Sequence, residues 1–272
     1  MPAPTTYRSR ELVTMRDGLS IYSQLFTPTR QVEEPLPVLL CAHGFGANYL
    51  SCVPYAWALA EEGFAVCCLD FSGGGYASKS EGNPLEMTLL TEVADIAAVM
   101  EKVVSLEEVD PTRVFLLGEG QGGVAAVLFA DAHPDALHAL LLVHPTLNMH
   151  DQARQLFPTK KNIPASYRQL GMRVGRAYGE VAWDTNPYAH MQEFQGEVLI
   201  LHGNEDATVP LEYAQRATTV YANARLEVIR HGKHVFKADA QTRCMQKVCD
   251  FLCEEAGVAD LEPVHGAHLR RG

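Results

Sequence analysis

The stretch from Val114 to Ala132 constrains the fold most strongly. It holds an apolar run, Val114-Phe115-Leu116-Leu117, then the glycine-dense segment Gly118-Glu119-Gly120-Gln121-Gly122-Gly123, then a helical pattern from Val124 to Ala132. An apolar run of that length reads as a buried strand, and glycines between strand and helix read as a sharp turn in which the two pass closely. The remainder of the chain continues the alternation. Residues 11–15 and 19–26 read as an opening hairpin around Arg16-Asp17-Gly18. Val38–Ala42 and Phe64–Leu69 read as buried strands separated by a helix over Tyr49–Glu62, with a further helix over Thr88–Ser105. After the Gly-rich turn come strand Ala139–Val143, strand Val198–Leu201, helix Leu211–Ala222, strand Leu226–Ile229 and helix Ala238–Glu255. Strands alternating with helices predict an α/β fold, a mostly parallel central sheet with helices on both faces. The periodicity weakens over residues 148–190, which read as a small cap insertion over the mouth of the sheet. The tail, 256–272, is largely polar and reads as frayed.

Size and charge narrow the partners. A chain of 272 residues, 47% hydrophobic and 20% charged, is long enough to fold as a single domain over 1–272 without a staple or structural metal. A net charge of −11 opposes binding to nucleic acid or an anionic membrane surface. No run approaches the ~18 apolar residues of a membrane span, and Met1–Arg10 lacks the apolar stretch of a signal peptide. Seven cysteines, with Cys41, Cys67 and Cys68 in strand-like runs, read as buried free thiols in a reducing, cytoplasmic setting.

The Gly-rich segment matches two motifs. In G-x-S-x-G the nucleophilic serine sits at a strained strand-to-helix turn, and the N–H of the next residue helps bind an oxyanion. Here Gly118 and Gly122 flank Gly120, so glycine stands at the nucleophile position. The same residues match the dinucleotide fingerprint G-x-G-x-x-G through Gly118, Gly120 and Gly123. That motif expects an acidic residue near the end of the next strand. The strand ends instead in His144-Pro145, so dinucleotide binding is the remoter alternative.

Three further segments follow strands where acyl-transfer chemistry needs them. His43-Gly44-Phe45-Gly46 follows the first of the buried strands, and the N–H groups of Phe45 and Gln121 form a candidate oxyanion hole. His202-Gly203-Asn204-Glu205-Asp206 places a carboxylate, Asp206, beyond another strand, and His231-Gly232-Lys233-His234 places His234 beyond the last. The order elbow, acid, histidine is that of a catalytic triad on a parallel sheet. Plainer roles compete: Asp206 as a loop brace, His234 as a structural histidine, and Glu119, whose sharper role is a base or nucleophile, as a residue paired with a cation or reaching solvent. His133, His138, His144 and His150 have no ligand spacing and read as surface or loop histidines, and Gly73-Gly74-Gly75 reads as a flexible loop. Phe157, Tyr167, Tyr178, Trp183 and Tyr188 line an apolar pocket or pack the cap onto the body.

From residue 11 to residue 252 the chain resembles the α/β-hydrolase superfamily, and within it cinnamoyl or feruloyl esterases and serine aminopeptidase-like hydrolases. The carriers are His43-Gly44-Phe45, Asp70-Phe71-Ser72-Gly73, the Gly-x-x-Gln-Gly-Gly of the elbow, Ala132-His133-Pro134-Asp135, Val198–Gly203 with Asp206, and His234-Val235-Phe236. Such esterases carry histidine then serine where this chain has Glu119 and Gly120, and Gly-His-Gly where it has Gly73-Gly74-Gly75. The resemblance implies an ancestry in carboxylic-ester hydrolysis, with no cofactor and no metal. The missing serine implies loss of the acyl-enzyme route and binding of a small acyl or aromatic ligand or a protein partner. Two alternatives stay open: hydrolysis by water activated at His234-Asp206, and a serine-to-glycine replacement made in the laboratory.

Overall fold

A computed structural model describes residues 6–30 and 34–258; most of the expected frayed tail lies outside the described residues. The chain opens with β1 (Tyr7–Arg16) and β2 (Leu19–Pro28), an antiparallel pair that turns at Asp17-Gly18. Next comes β3 (Leu36–Ala42), in which every residue is buried. The helix expected from Tyr49 starts later: a 3-10 turn, Tyr49–Ser51, capped by the Asn48 side chain, precedes α1 (Val53–Glu62). Pro54 fits the first turn of α1, where its missing N–H costs nothing. After β4 (Ala65–Leu69), α2 (Leu89–Val104) begins at Thr88, which exchanges capping hydrogen bonds with Thr91.

β5 (Val109–Glu119) runs directly into α3 (Gly120–Ala132), with Gly120 the first helical residue. Then follow β6 (Ala139–Val143), α4 (Met149–Leu156), a small hairpin of β7 (Ser166–Gln169) and β8 (Met172–Gly175), and α5 (Arg176–Asp184). The irregular region of the sequence thus carries two helices and a hairpin. The chain closes with β9 (Glu197–Gly203), α6 (Leu211–Val220), β10 (Ala224–Ile229) and α7 (Asp239–Ala256).

The large sheet has the order β1-β2-β4-β3-β5-β6-β9-β10; β1 and β2 run antiparallel to their neighbours and every other pairing is parallel. Side chains alternate across it with period two. Val114 and Leu116 of β5 join the core with α2, α3 and α6, whereas Phe115 and Leu117 join the opposite core with α1 and α7. Helix α3 has no polar face to give to solvent, because it is enclosed against β5, β6 and α2. Ordering the parallel strands this way gathers the loops after β3, β5, β6, β9 and β10 at one edge of the sheet, the usual place for ligands in such folds.

Backbone meets backbone at the β5–α3 turn. A Cβ on Gly122 would lie 2.4 Å from the carbonyl oxygen of His43 and 2.5 Å from that of Ala42. Gly122→Ala is therefore expected to destabilise the protein by about 1–3 kcal/mol in urea unfolding, as overpacking does. A change under about 0.5 kcal/mol would contradict this packing.

Candidate active site

Gly120 adopts φ +53°, the left-handed region that the elbow geometry demands. Side chains tolerate that region at a cost of about 1–3 kcal/mol, and glycine relieves it. Room for a side chain nevertheless remains. A Cβ built on Gly120 would find its nearest neighbours at Gly44 Cα (3.7 Å), Thr146 Oγ1 (3.7 Å) and His144 Nδ1 (3.9 Å).

Asp206 and His234 come together from the loops after β9 and β10, with His234 Nδ1 2.9 Å from Asp206 Oδ2. The other carboxylate oxygen, Oδ1, accepts the N–H groups of Thr208 (2.8 Å) and Val209 (2.9 Å). Burial works against the charge of Asp206, but hydrogen bonds from His202, His234 and the Val209 amide outweigh it and hold the carboxyl well below the usual carboxylate range. An anionic Asp206 fixes the proton of His234 on Nδ1 and leaves Nε2 free to act as a base. His202 was not assigned a role from sequence. Its Nε2 donates to the Val209 carbonyl (2.8 Å) and lies 3.4 Å from Asp206 Oδ2, so it braces the acid loop. The available signal was its position four residues ahead of Asp206.

Phe45 and Gln121 lie on either side of the elbow. Among the described residues the Phe45 N–H has no acceptor, and Gln121 occupies the second position of α3, where a helix leaves its N–H unpaired. Behind them, His43 is locked as a neutral imidazole. Its Nδ1 donates to the Gly44 carbonyl (2.9 Å), its Nε2 accepts the Phe71 N–H (3.1 Å), and burial lowers its pKa. The Gly-rich loop is tighter than expected of a flexible segment. Gly46 N–H donates to Gly74 O (3.2 Å) and Tyr76 N–H to Gly46 O (3.3 Å), which tie residues 74–76 to the Phe45 loop.

The insert reaches the elbow through Tyr178 of α5. Its hydroxyl donates to Gln121 Oε1 (2.6 Å), its ring packs 5.7 Å from that of Phe45, and Gln121 Nε2 donates to Glu92 Oε1 (2.7 Å). Phe157 and Tyr167 continue this aromatic cluster, Trp183 donates to the Phe157 carbonyl, and Tyr188 sits apart under the Arg216 guanidinium. Glu119 turns away from Gly120 and accepts the Tyr55 hydroxyl (2.9 Å); burial raises its carboxyl to about 7 against that hydrogen bond. Its hydrogen-bond partner is thus a hydroxyl rather than a cation.

His144 lies in the loop after β6, one of the two places expected of it, but not at the surface: at φ +39° it is buried, its ring 5.1 Å from that of His234 and 5.2 Å from that of Phe236. Burial, and then the neighbouring His234, lower its pKa to about 3. No spacing rule could have found it, because the contact depends on a strained backbone turn.

The serine aminopeptidase (S33) family model matches residues 33–181, more than half of the chain. The chain belongs to this family. Its fold is that of the α/β hydrolases and its lineage that of their esterases and aminopeptidases. Among solved structures, this S33-family chain is similar to Est1E from Butyrivibrio proteoclasticus with ferulic acid bound. The TM-score is 0.82 at 26% identity, over 90% of this chain and 99% of that one. It is 30% identical over 119 residues to the quorum-quenching protein AidA of Acinetobacter baumannii, covering 43% of this chain and 37% of AidA. It is 27% identical over 195 residues to human ABHD12B, covering 69% of this chain and 51% of that protein. The chain thus spans from about a third to half of the length of these two relatives. Among the described residues no helix is long and apolar enough to cross a membrane.

Glu92 generates a pH prediction. Burial pushes its carboxyl up to about 8, against the hydrogen bond from Gln121, and Oε2 has no partner among the described residues. The unfolded carboxyl releases its proton near pH ~4.3, so folding takes up a proton between there and pH 8 and stability declines as pH rises through that window. Glu92→Gln is expected to melt at least about 3 °C above the native chain at pH 8, with no advantage near pH 4. Equal melting temperatures at pH 8 would mean that Glu92 is not held protonated.

Proposed function

We propose that this protein binds small acyl or aromatic esters at the Gly120 site and hydrolyses them slowly with water, without forming an acyl-enzyme. The observation that carries this reading is the ordered Asp206–His234 pair, at 2.9 Å, with the His234 ring 5.1 Å from that of His144, whose Nδ1 lies 3.9 Å from the Cβ position of Gly120. In this reading the substrate carbonyl oxygen receives the N–H groups of Phe45 and Gln121. His234 Nε2 takes a proton from water as the water oxygen attacks the carbonyl carbon, and Asp206 stabilises the imidazolium. When the tetrahedral adduct collapses, that proton goes to the leaving alkoxide, giving acid and alcohol. The insert, residues 148–190, serves as a cap that sets ligand shape, with Tyr178 and Tyr167 supplying aromatic surface. Ferulic acid in the similar Est1E structure supports an aromatic acyl group. Buried thiols at Cys41, Cys52, Cys67 and Cys68 support a reducing compartment.

Magnitude favours a slow enzyme. Removing the nucleophile of a serine protease costs about 2 × 10⁶ in turnover and leaves roughly 10³–10⁴ over water. The absent hydroxyl also favours a second reading, in which the site only binds its ligand. A panel of aryl and short-chain acyl esters separates the two. The native chain is expected to turn over at least one ester, to lose that activity in His234→Ala, and to gain on the order of 10²–10⁶-fold in Gly120→Ser. No turnover by the native chain, with turnover by Gly120→Ser, would establish the binding-only reading instead.

A further inference from the structure

We propose that His144 and Thr146 form the binding position of the attacking water, in the space where a serine side chain would stand on Gly120. This rests on the water-based reading above and names the residues that make it workable. His144 is 8% exposed, and its Nδ1 is a buried ring nitrogen with no partner among the described residues. That nitrogen lies 3.9 Å from the Gly120 Cβ position and Thr146 Oγ1 lies 3.7 Å from it, so both polar atoms border the space into which a serine side chain on Gly120 would project, and a water lodged there clear of the Gly120 Cα has them as its polar neighbours. The third neighbour is Gly44 Cα, which offers no competing polar group.

The placement of both groups is fixed by backbone. Thr146 N–H donates to the Gly120 carbonyl at 2.9 Å, which ties the Thr146 backbone to the elbow. His144 N–H donates to the Leu201 carbonyl at 2.7 Å, and the left-handed turn at His144 accompanies a ring that lies beside both Gly120 and His234 rather than one directed to solvent. A neutral imidazole can donate or accept, and a hydroxyl can do both, so together they can hold a water with its third contact left for His234. The serine hydroxyl of a covalent enzyme is thereby replaced by a water held from the side. In the reaction the water oxygen forms its bond to the carbonyl carbon, His234 takes the proton, and the carbon–oxygen bond to the leaving group breaks. His144 and Thr146 position the water and exchange no proton overall.

The test is hydrolysis of 4-nitrophenyl acetate by His144→Phe and Thr146→Val, each made in the native chain and in Gly120→Ser, with melting temperatures measured for all. In Gly120→Ser the serine oxygen occupies the position and water binding there no longer limits the first step. The expected result is a loss of at least about tenfold in kcat with little change in KM for each variant of the native chain. That loss should exceed the one seen in Gly120→Ser by about tenfold or more, at similar melting temperatures. Equal losses in both backgrounds, or losses that track melting temperature, would make the two residues structural and overturn the inference. If the native chain loses activity in His234→Ala but not in His144→Phe or Thr146→Val, the inference fails while the water-based reading stands. If the native chain shows no turnover sensitive to His234, both fail together.

Discussion

The close passage of three backbone segments at the end of β5 governs the rest of the site. Gly122 lies against the carbonyls of Ala42 and His43, and Gly118 lies against Gly122 and Gly123, so strand β5, helix α3 and the loop after β3 approach to distances that no side chain permits. With these segments fixed, the left-handed turn at Gly120 follows, and with it the direction of the first α3 amides. The Phe45 loop sits opposite because His43 is pinned on both ring nitrogens. An elbow of this shape is costly for any residue with a side chain, and glycine lowers that cost while removing the oxygen that ordinarily justifies it.

Around the elbow the polar groups divide into a charged side and a neutral side. Asp206 stays anionic because two backbone amides and two histidines converge on it, and that charge orients His234. On the other side, Tyr178, Gln121 and Glu92 form a chain of hydrogen bonds from the insert through the elbow helix into the core between α2 and α3. The two sides do different work: one orients the His234 ring, the other holds the insert and the elbow helix in register. Tyr178 anchors the second side, since it contacts both Gln121 and Phe45.

Much of this was legible in the sequence, for identifiable reasons. Buried parallel strands such as 139–143 show as unbroken apolar runs, and the Gly-rich turn has a chemistry that few other turns share. Asp206 and His234 were readable because each follows a strand at the edge where such folds keep their ligands. The insert was readable only as a gap in periodicity. Its short hairpin and two helices are stabilised by tertiary contacts, among them Arg176 with the Ile163 and Lys160 carbonyls, rather than by local pattern. The burial of His144 escapes the sequence for a related reason. Its neighbours are distant in sequence, and its strained backbone has no signature beyond the following proline. Glu92 was likewise invisible, because a carboxylate in an amphipathic helix looks solvent-facing until the partner Gln121 is placed.

In the proposed reaction, acyl chemistry at Gly120 proceeds without a bond to the protein. The direct measurement is pre-steady-state release of 4-nitrophenol from 4-nitrophenyl acetate, with intact protein mass recorded during turnover. A linear release with no burst and an unmodified mass is expected for the native chain, and a burst with an acetyl adduct for Gly120→Ser. A burst or an acetyl adduct on the native chain, at Thr146, Glu119 or any other residue that turns over with the reaction, would contradict it.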